Sequence, residues 1–545
     1  MRLPLQLLEI VRIRTVGVAM AAFFAVIAFA PAGASAAQSC ESLVTLALPS
    51  ATVQSAVVVP ASSTLPAHCQ IDGVATPTSD SVILFQVRLP LAGWNGKFNG
   101  IGNGGYGGTL PVSGGIAGPS LARGYATAGT NMGHNAAVTP GGTWAFGHPE
   151  KIADWAYRAN HVTAGLAKTL IRAFYGVPPR LSYFIGCSDG GHEGLMEAQR
   201  FPDDYDGIVA GASANYWTHQ SAAWVWEEER SALDDATSVV PPSKLAMISQ
   251  AAVAACDDID GLHDGQITDP TRCHFDPAVL QCAGADAPTC LTAAQVQAIR
   301  EIYTGPRNPR TRESIYPGLE RGGEYNWPGD RGSLGRDFYK YFVFNNPSWD
   351  FHTLDFDHDV AAGDTAMAAI INSTSPDLRD FKALGGKLIM YHGWYDARVN
   401  PRNSIDYYRS VIASLHRQHE KDFNDKAPGP AKETDAFLRL FMAPAMTHCS
   451  GGTGPNAFGG LGHPAVPDDA SHNVLIALER WVEQGIAPAR IIATKYVNDS
   501  PTQGVQRTRP LCAYPQLAQY TGHGSIDDAA SFVCVKPQQA DGDDD

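Results

Sequence analysis

Apolar positions along the chain fall into short runs separated by amphipathic stretches, the pattern of strands alternating with helices. Val82–Pro90, Ala126–Met132, Leu181–Ile185 and Gly385–Gly393 read as strands. Asp154–Tyr175 reads as a helix that starts at Asp154 and stops at Gly176, and Glu193–Arg200 as a second that stops before Pro202. Phe98-Asn-Gly-Ile-Gly102 leads into a glycine-rich loop, Asn103–Gly108. This alternation predicts an α/β fold, a mostly parallel sheet wrapped by helices. After about Tyr216 the rhythm breaks. Trp217, Trp224 and Trp226 crowd together, cysteine-tied loops follow, and Gly305–Gly335 is rich in Gly, Pro, Arg and Asn. The rhythm returns at Gly385. Residues 215–375 are therefore read as an inserted lid, and residues 38–214 and 376–545 as the core domain.

The N-terminus does not belong to either part. Arg2, Arg12 and Arg14 precede an apolar run from Val16 to Ala30, and Ala34-Ser-Ala36 offers a small-residue cleavage site. Residues 1–37 are read as a secretory signal peptide, too short in its apolar part for a membrane anchor. This predicts a secreted or periplasmic protein with no membrane partner after cleavage. The ten cysteines all lie beyond that site, an even number suited to disulfides. Sequence alone does not fix their pairing. Chain neighbours suggest Cys40–Cys69, Cys256–Cys273, Cys282–Cys290 and Cys512–Cys534, which leaves Cys187 and Cys449. With 44% hydrophobic and 17% charged residues the 545-residue chain is globular, and a net charge of -15, part of it in Ala540–Asp545, disfavours nucleic acid and anionic membrane surfaces.

The chemistry centres on Gly186-Cys-Ser-Asp-Gly190. A chain this rich in glycine shows Gly-x-Ser-x-Gly somewhere by chance about one time in three, so the pattern alone is weak. A strand before it and a helix after it are the context of a nucleophile elbow, and they point to an α/β-hydrolase core with Ser188 as nucleophile. Such folds place the acid and then the base farther along the chain. Asp396 follows the strand ending in Tyr391-His-Gly393, and His448 lies on a loop with Gly451 and Gly452. His448 would deprotonate Ser188 while Asp396 orients the imidazole. The loop at 103–108 lacks the Lys-Ser/Thr of a phosphate cradle, so Gly104 or Gly105, with the N–H of Asp189, is read as the oxyanion hole. Cys187 precedes Ser188 and Cys449 follows His448. A bridge between them would hold nucleophile and base side by side.

A second motif lies in the insertion. Asp257, Asp260 and Asp264 are hard oxygen ligands on a tight loop, and the carbonyls of Leu262 and Gln266 complete a shell of the kind Ca²⁺ takes. The spacing is not that of an EF-hand. The expectation is a structural Ca²⁺ and no organic cofactor.

Cys187-Ser188, Asp396 and His448-Cys449 in this order resemble the tannase and feruloyl esterase family of secreted esterases, over nearly the whole mature chain. The resemblance implies the triad Ser188, Asp396 and His448, calcium at Asp257, Asp260, Leu262, Asp264 and Gln266, and five disulfides in the pairing above. It also implies His392 as a substrate-lining position. The activity it implies is hydrolysis of small aromatic esters of ferulate, coumarate or gallate type, plant-wall or polyphenol derived. Trp217, Trp224, Trp226, Trp327 and Tyr325 are candidates to line the ring's cleft. Terephthalate-type members carry Phe where this chain has Val399, which disfavours that branch. The rivals are a tannase acting on galloyl esters, a serine peptidase, and a calcium-stabilised binding protein with a dead site.

Overall fold

The computed structural model describes residues 37–112, 117–228, 236–327, 332–422 and 430–536. The signal peptide, except its last residue, and the acidic tail lie outside the described residues. One sheet of nine strands organises the rest: β1 (Ala51–Val59), β2 (His68–Ala75), β3 (Ile83–Pro90), β4 (Lys97–Ile101), β5 (Ala126–Thr130), β6 (Leu181–Cys187), β7 (Gly207–Gly211), β8 (Lys387–Gly393) and β9 (Leu438–Ala443). Their order is β1-β2-β3-β5-β4-β6-β7-β8-β9. The pairings from β5 through β9 are parallel, and β1, β2, β3 and β5 pair antiparallel.

The parallel strands are buried on both faces, as such strands must be when helices cover each side. In β6 the period-2 alternation sends Phe184 into one apolar cluster and Tyr183 and Ile185 into the other. In β8, Leu388 and Met390 face the first and Ile389 and Tyr391 the second. The covering helices include α1 (Ala159–Tyr175), α2 (Asp189–Arg200), α4 (Pro401–Asp422) and α5 (Val474–Gln484), while α3 (Trp217–Glu228) belongs to the passage inserted between β7 and β8. Gly176 closes α1 at φ 78°, a left-handed cap that glycine takes without strain.

Two elements differ from the sequence expectation. Phe98–Ile101, read only as the lead into the glycine-rich loop, is the end of β4, a central strand hydrogen-bonded to β5 on one side and β6 on the other. Its own residues do not favour a strand; the two neighbours impose it. The helix expected to begin at Asp154 is entered at Pro149, a residue suited to a first turn. Asp154 lies inside it, fully buried, accepting from Ser81 Oγ at 3.1 Å and paired with Arg158.

The chain leaves the sheet after β7 and returns at β8, a passage that runs from 212 to 386. Five disulfides join Cys40–Cys69, Cys187–Cys449, Cys256–Cys273, Cys282–Cys290 and Cys512–Cys534, and no cysteine is free among the described residues. No helix among the described residues is long and apolar enough to cross a membrane.

Candidate active site

Ser188, Asp396 and His448 stand on the turns that follow β6, β8 and β9, at the carboxyl ends of the parallel strands, where open α/β sheets build their sites. Ser188 holds φ 66° and ψ -121°, a conformation that L-residues rarely adopt. The turn closes because glycine flanks it. A Cβ on Gly186 would lie 2.2 Å from the Gly190 carbonyl oxygen, and one on Gly190 would lie 2.8 Å from the Asn103 carbonyl oxygen. Strand end, helix start and glycine-rich loop therefore touch through backbone.

Ser188 Oγ donates to His448 Nε2 at 2.8 Å, and His448 Nδ1–H donates to Asp396 Oδ2 at 2.7 Å. The Cys187–Cys449 bridge, with its Cα atoms 5.9 Å apart, ties the serine turn to the histidine loop. Asp396 is buried and every lone-pair direction is used. The N–H groups of Arg398 and Val399 donate to Oδ1 at 2.8 and 3.0 Å, and His392 Nε2–H donates to Oδ2 at 3.1 Å. Burial alone would raise this carboxyl, but His448 beside it and the hydrogen bonds from His392 and His448 hold it well below the usual carboxylate range.

Expected lining positions separate here. Val399 is on the wall of the cavity above Ser188, but His392 is not. It is fully buried beneath Asp396, with Nδ1 accepting from Ser404 O–H at 2.8 Å. Trp327 is also off the wall; it packs edge-on against Tyr303 at 6.0 Å inside the passage between β7 and β8. Trp226 meets Phe356 and Tyr325 meets Tyr395, again away from the cavity. Trp217, Gln220 and Trp224 do line it, at i, i+3 and i+7 of α3 and so on one face. With Leu110, Pro111 and Leu461 they make an apolar slot in a cavity of about 650 Å³. Tyr106 stacks on Trp217 at 5.4 Å and its O–H donates to the Leu334 carbonyl, fastening the glycine-rich loop to the inserted passage.

Gly104 and Gly105 line the cavity beside Ser188. The Gly104 N–H donates to Asn103 Oδ1 at 3.1 Å, whereas Gly105 takes φ 58°. Asp189 is the first residue of α2, so its N–H has no partner within the helix. The side chains under this loop escaped sequence reading. Glu193 accepts from the Asn103 N–H at 3.1 Å, and Asp189 lies 3.3 Å from His192 Nδ1, all three buried. Burial raises both carboxyls, and the nearby Asp189 charge pushes Glu193 further up. His463 was missed too. Its Nε2–H donates to the Cys449 carbonyl at 2.6 Å, and burial lowers it to about 4, so the ring is neutral and pins the histidine loop. The available signal was the i, i+4 carboxylate pair in the elbow helix; for His463 there was none.

The aspartate loop is tightly folded. Asp257 accepts from the N–H groups of Asp264, Gly265 and Gln266, and Asp260 Oδ1 from that of Leu262. Asp264 Oδ2 pairs with Arg509 and Arg507, while its Oδ1 is buried without a partner. Burial raises Asp260 and Asp264, and the neighbouring Asp257 charge adds to both. Such a crowd of buried and half-buried carboxylates with an orphaned oxygen fits a hard cation. Elsewhere, His161, Glu197 and Asp204 bring ligand atoms within 4.8 Å of one another, a further group able to hold a metal ion.

Residues 69–535 match the family described as tannase and feruloyl esterase. This chain belongs to that family. It is a carboxylic ester hydrolase. It is 43% identical to an uncharacterized esterase of Xanthomonas campestris pv. campestris over 92% of each chain. It is 34% identical to a mono(2-hydroxyethyl) terephthalate hydrolase of Piscinibacter sakaiensis over 87% of this chain and 85% of that one. The solved feruloyl esterase B of Aspergillus oryzae superposes with a TM-score of 0.81 at 30% identity, covering 91% of this chain and 99% of that one. The tannase and feruloyl esterase family thus supplies the class of chemistry, and the α/β-hydrolase-like core carries it.

Proposed function

We propose that this esterase is an exported serine hydrolase cleaving small esters of hydroxycinnamic-type aromatic acids, with Ser188 as nucleophile, His448 as base and Asp396 as its orienting acid. The observation that carries the reading is the chain of short hydrogen bonds from Ser188 through His448 to buried Asp396, opening on a slot walled by Trp217 and Trp224. As Ser188 Oγ attacks the ester carbonyl, its proton passes to His448 Nε2. The carbonyl oxygen gains the negative charge and meets the N–H of Asp189 and of Gly105, favoured over Gly104 because Asn103 already engages the latter. His448 returns the proton to the departing alkoxide, leaving an acyl-serine. Water, deprotonated by the same histidine, then releases the acid. Residues 215–375 act as the lid over the ring, and 38–214 with 376–545 as the catalytic core.

Val399 rather than phenylalanine leaves the slot wider beside the acid, which favours a substituted phenolic ring over a terephthalate monoester. The test is a panel of methyl ferulate, methyl p-coumarate, methyl gallate and mono(2-hydroxyethyl) terephthalate, with Ser188→Ala as control. Serine-dependent turnover fastest on the hydroxycinnamates supports the reading. A gallate preference would transfer it to the tannase branch, and turnover that survives Ser188→Ala would sink it.

The aspartate loop is assigned to a structural Ca²⁺, held by Asp257, Asp260 and Asp264 with the carbonyls of Leu262 and Gln266. A bound ion would neutralise carboxylates that burial and mutual repulsion make costly. At free calcium a hundredfold above its dissociation constant the ion adds about 2.7 kcal/mol. Chelation with EGTA is therefore expected to lower Tm by a few degrees, reversed by Ca²⁺ but not Mg²⁺. An unchanged Tm together with no calcium in the purified protein would refute the site.

The Cys187–Cys449 bridge is assigned a catalytic-geometry role as well as a stabilising one. A Cys187→Ala, Cys449→Ala variant is expected to lose roughly 2–5 kcal/mol of stability. Its kcat should fall about 10- to 100-fold even well below its Tm, because small displacements of paired groups are costly. Full kcat in that variant would remove the geometric role.

A further inference from the structure

The cavity above Ser188 contains one permanent charge that the proposed reaction does not use. Among its described wall residues Arg398 alone carries a fixed charge; the others are apolar, neutral polar or His448. Its backbone is fixed on two sides. The Arg398 N–H donates to Asp396 Oδ1 at 2.8 Å, and its carbonyl accepts from Trp224 Nε1–H at 2.7 Å. The side chain, by contrast, is exposed, and no described carboxylate pairs with it. The chain carries 55 acidic residues against 40 basic ones, and several of its other arginines are paired. Arg158 meets Glu150, Arg402 meets Glu320 and Arg509 meets Asp264. An arginine held at its backbone, with an exposed side chain and a place on the wall of an apolar slot, offers a planar fork to a carboxylate.

Resting on the esterase reading, we infer that Arg398 is a specificity-determining residue that binds a free carboxylate on the substrate, remote from the scissile ester. Among esters of one acid, those that also carry a free carboxylate, anionic at neutral pH, are then preferred over their neutral counterparts, with the ring in the slot of Trp217 and Trp224. Trp217, Trp224 and the leucines of the wall explain why a ring fits; only Arg398 explains a charge.

Two matched pairs separate the possible positions of that carboxylate. Dimethyl and monomethyl terephthalate differ by a carboxylate on the acid side, and methyl caffeate and its quinate ester by one on the alcohol side. In one of these pairs the anionic ester is expected to show a kcat/KM at least tenfold above its neutral partner, carried by KM. That ratio should fall about tenfold or more in Arg398→Gln and in part in Arg398→Lys. In the unmutated enzyme it should shrink as salt rises, since an exposed ion pair is screened, which tests the idea even if the variants fail to fold. No anionic preference in either pair, or a preference that persists in Arg398→Gln and in high salt, overturns the inference. Hydrolysis of the neutral esters with no such preference refutes the role of Arg398 alone, whereas no serine-dependent hydrolysis of any of the four refutes the esterase reading beneath it.

Discussion

Ser188→Ala is expected to lower kcat on an aromatic ester by about 10⁴- to 10⁶-fold while leaving stability within about 1 kcal/mol of the parent's. The side chain is half-buried and makes one hydrogen bond, to His448 Nε2 at 2.8 Å. Its loss removes the attacking atom but little else. The backbone contacts that hold the turn remain, including the Ser188 N–H to the Gly211 carbonyl at 3.0 Å. Alanine pays the same strain at φ 66° that serine pays, so the elbow has no reason to relax. Whatever rate is left comes from the oxyanion donors and from binding in the slot. The measurement is steady-state ester hydrolysis beside a thermal melt. A drop under tenfold would assign the nucleophile elsewhere. Gly186→Ala makes the contrasting case, because its Cβ would meet backbone at 2.2 Å and the turn itself would have to open.

What could be read from sequence was what local chemistry dictates. The elbow is a contiguous string, and its flanking glycines are required by contacts only a few residues away. The cysteines next to Ser188 and His448 carried information across 262 positions because a disulfide is a distance constraint written at both ends. β4 was not legible. Phe98-Asn-Gly-Ile has little strand character, and the sheet neighbours that enforce it come from 126–130 and 181–187. His392 illustrates the same limit within the site. The family resemblance implies a substrate-lining role for it, yet its strand-end position points it into the core beneath Asp396, where Ser404 from α4 meets it. Trp327 and Trp226 were tryptophans in an aromatic-rich insertion, and only the packing separates them from Trp217 and Trp224. Glu193 and His463 are set by burial and by backbone contacts, and of these the residue string offered only the i, i+4 spacing of Asp189 and Glu193.

Asp396→Asn should cost about 10⁴-fold in kcat, and the reason lies in which oxygen faces which donor. Oδ1 is fixed by two backbone N–H groups, those of Arg398 and Val399. An asparagine must present its carbonyl oxygen there, so its NH₂ falls where Oδ2 now accepts from both His448 Nδ1–H and His392 Nε2–H. Donor would face donor twice. His448 escapes by moving its proton to Nε2, and that tautomer turns an N–H toward Ser188 and cannot take the serine proton. His392 has a second route, to the Val399 carbonyl at 3.0 Å, so it stays in place. Removing His392 alone, as His392→Gln, leaves the His448 contact intact and is expected to cost about 10-fold through looser aim of the carboxylate. The stability effect follows from the lowered pKa of Asp396. A carboxyl held below its unfolded value of about 3.9 stabilises the fold fully above that pH and loses its contribution only as pH falls through the lower folded value. The Tm gap between Asp396→Asn and the parent should therefore be widest near neutral pH and should narrow in strong acid. An asparagine variant with kcat within tenfold of the parent, or a gap that widens on acidification, would mean that Asp396 is not the charged partner of His448.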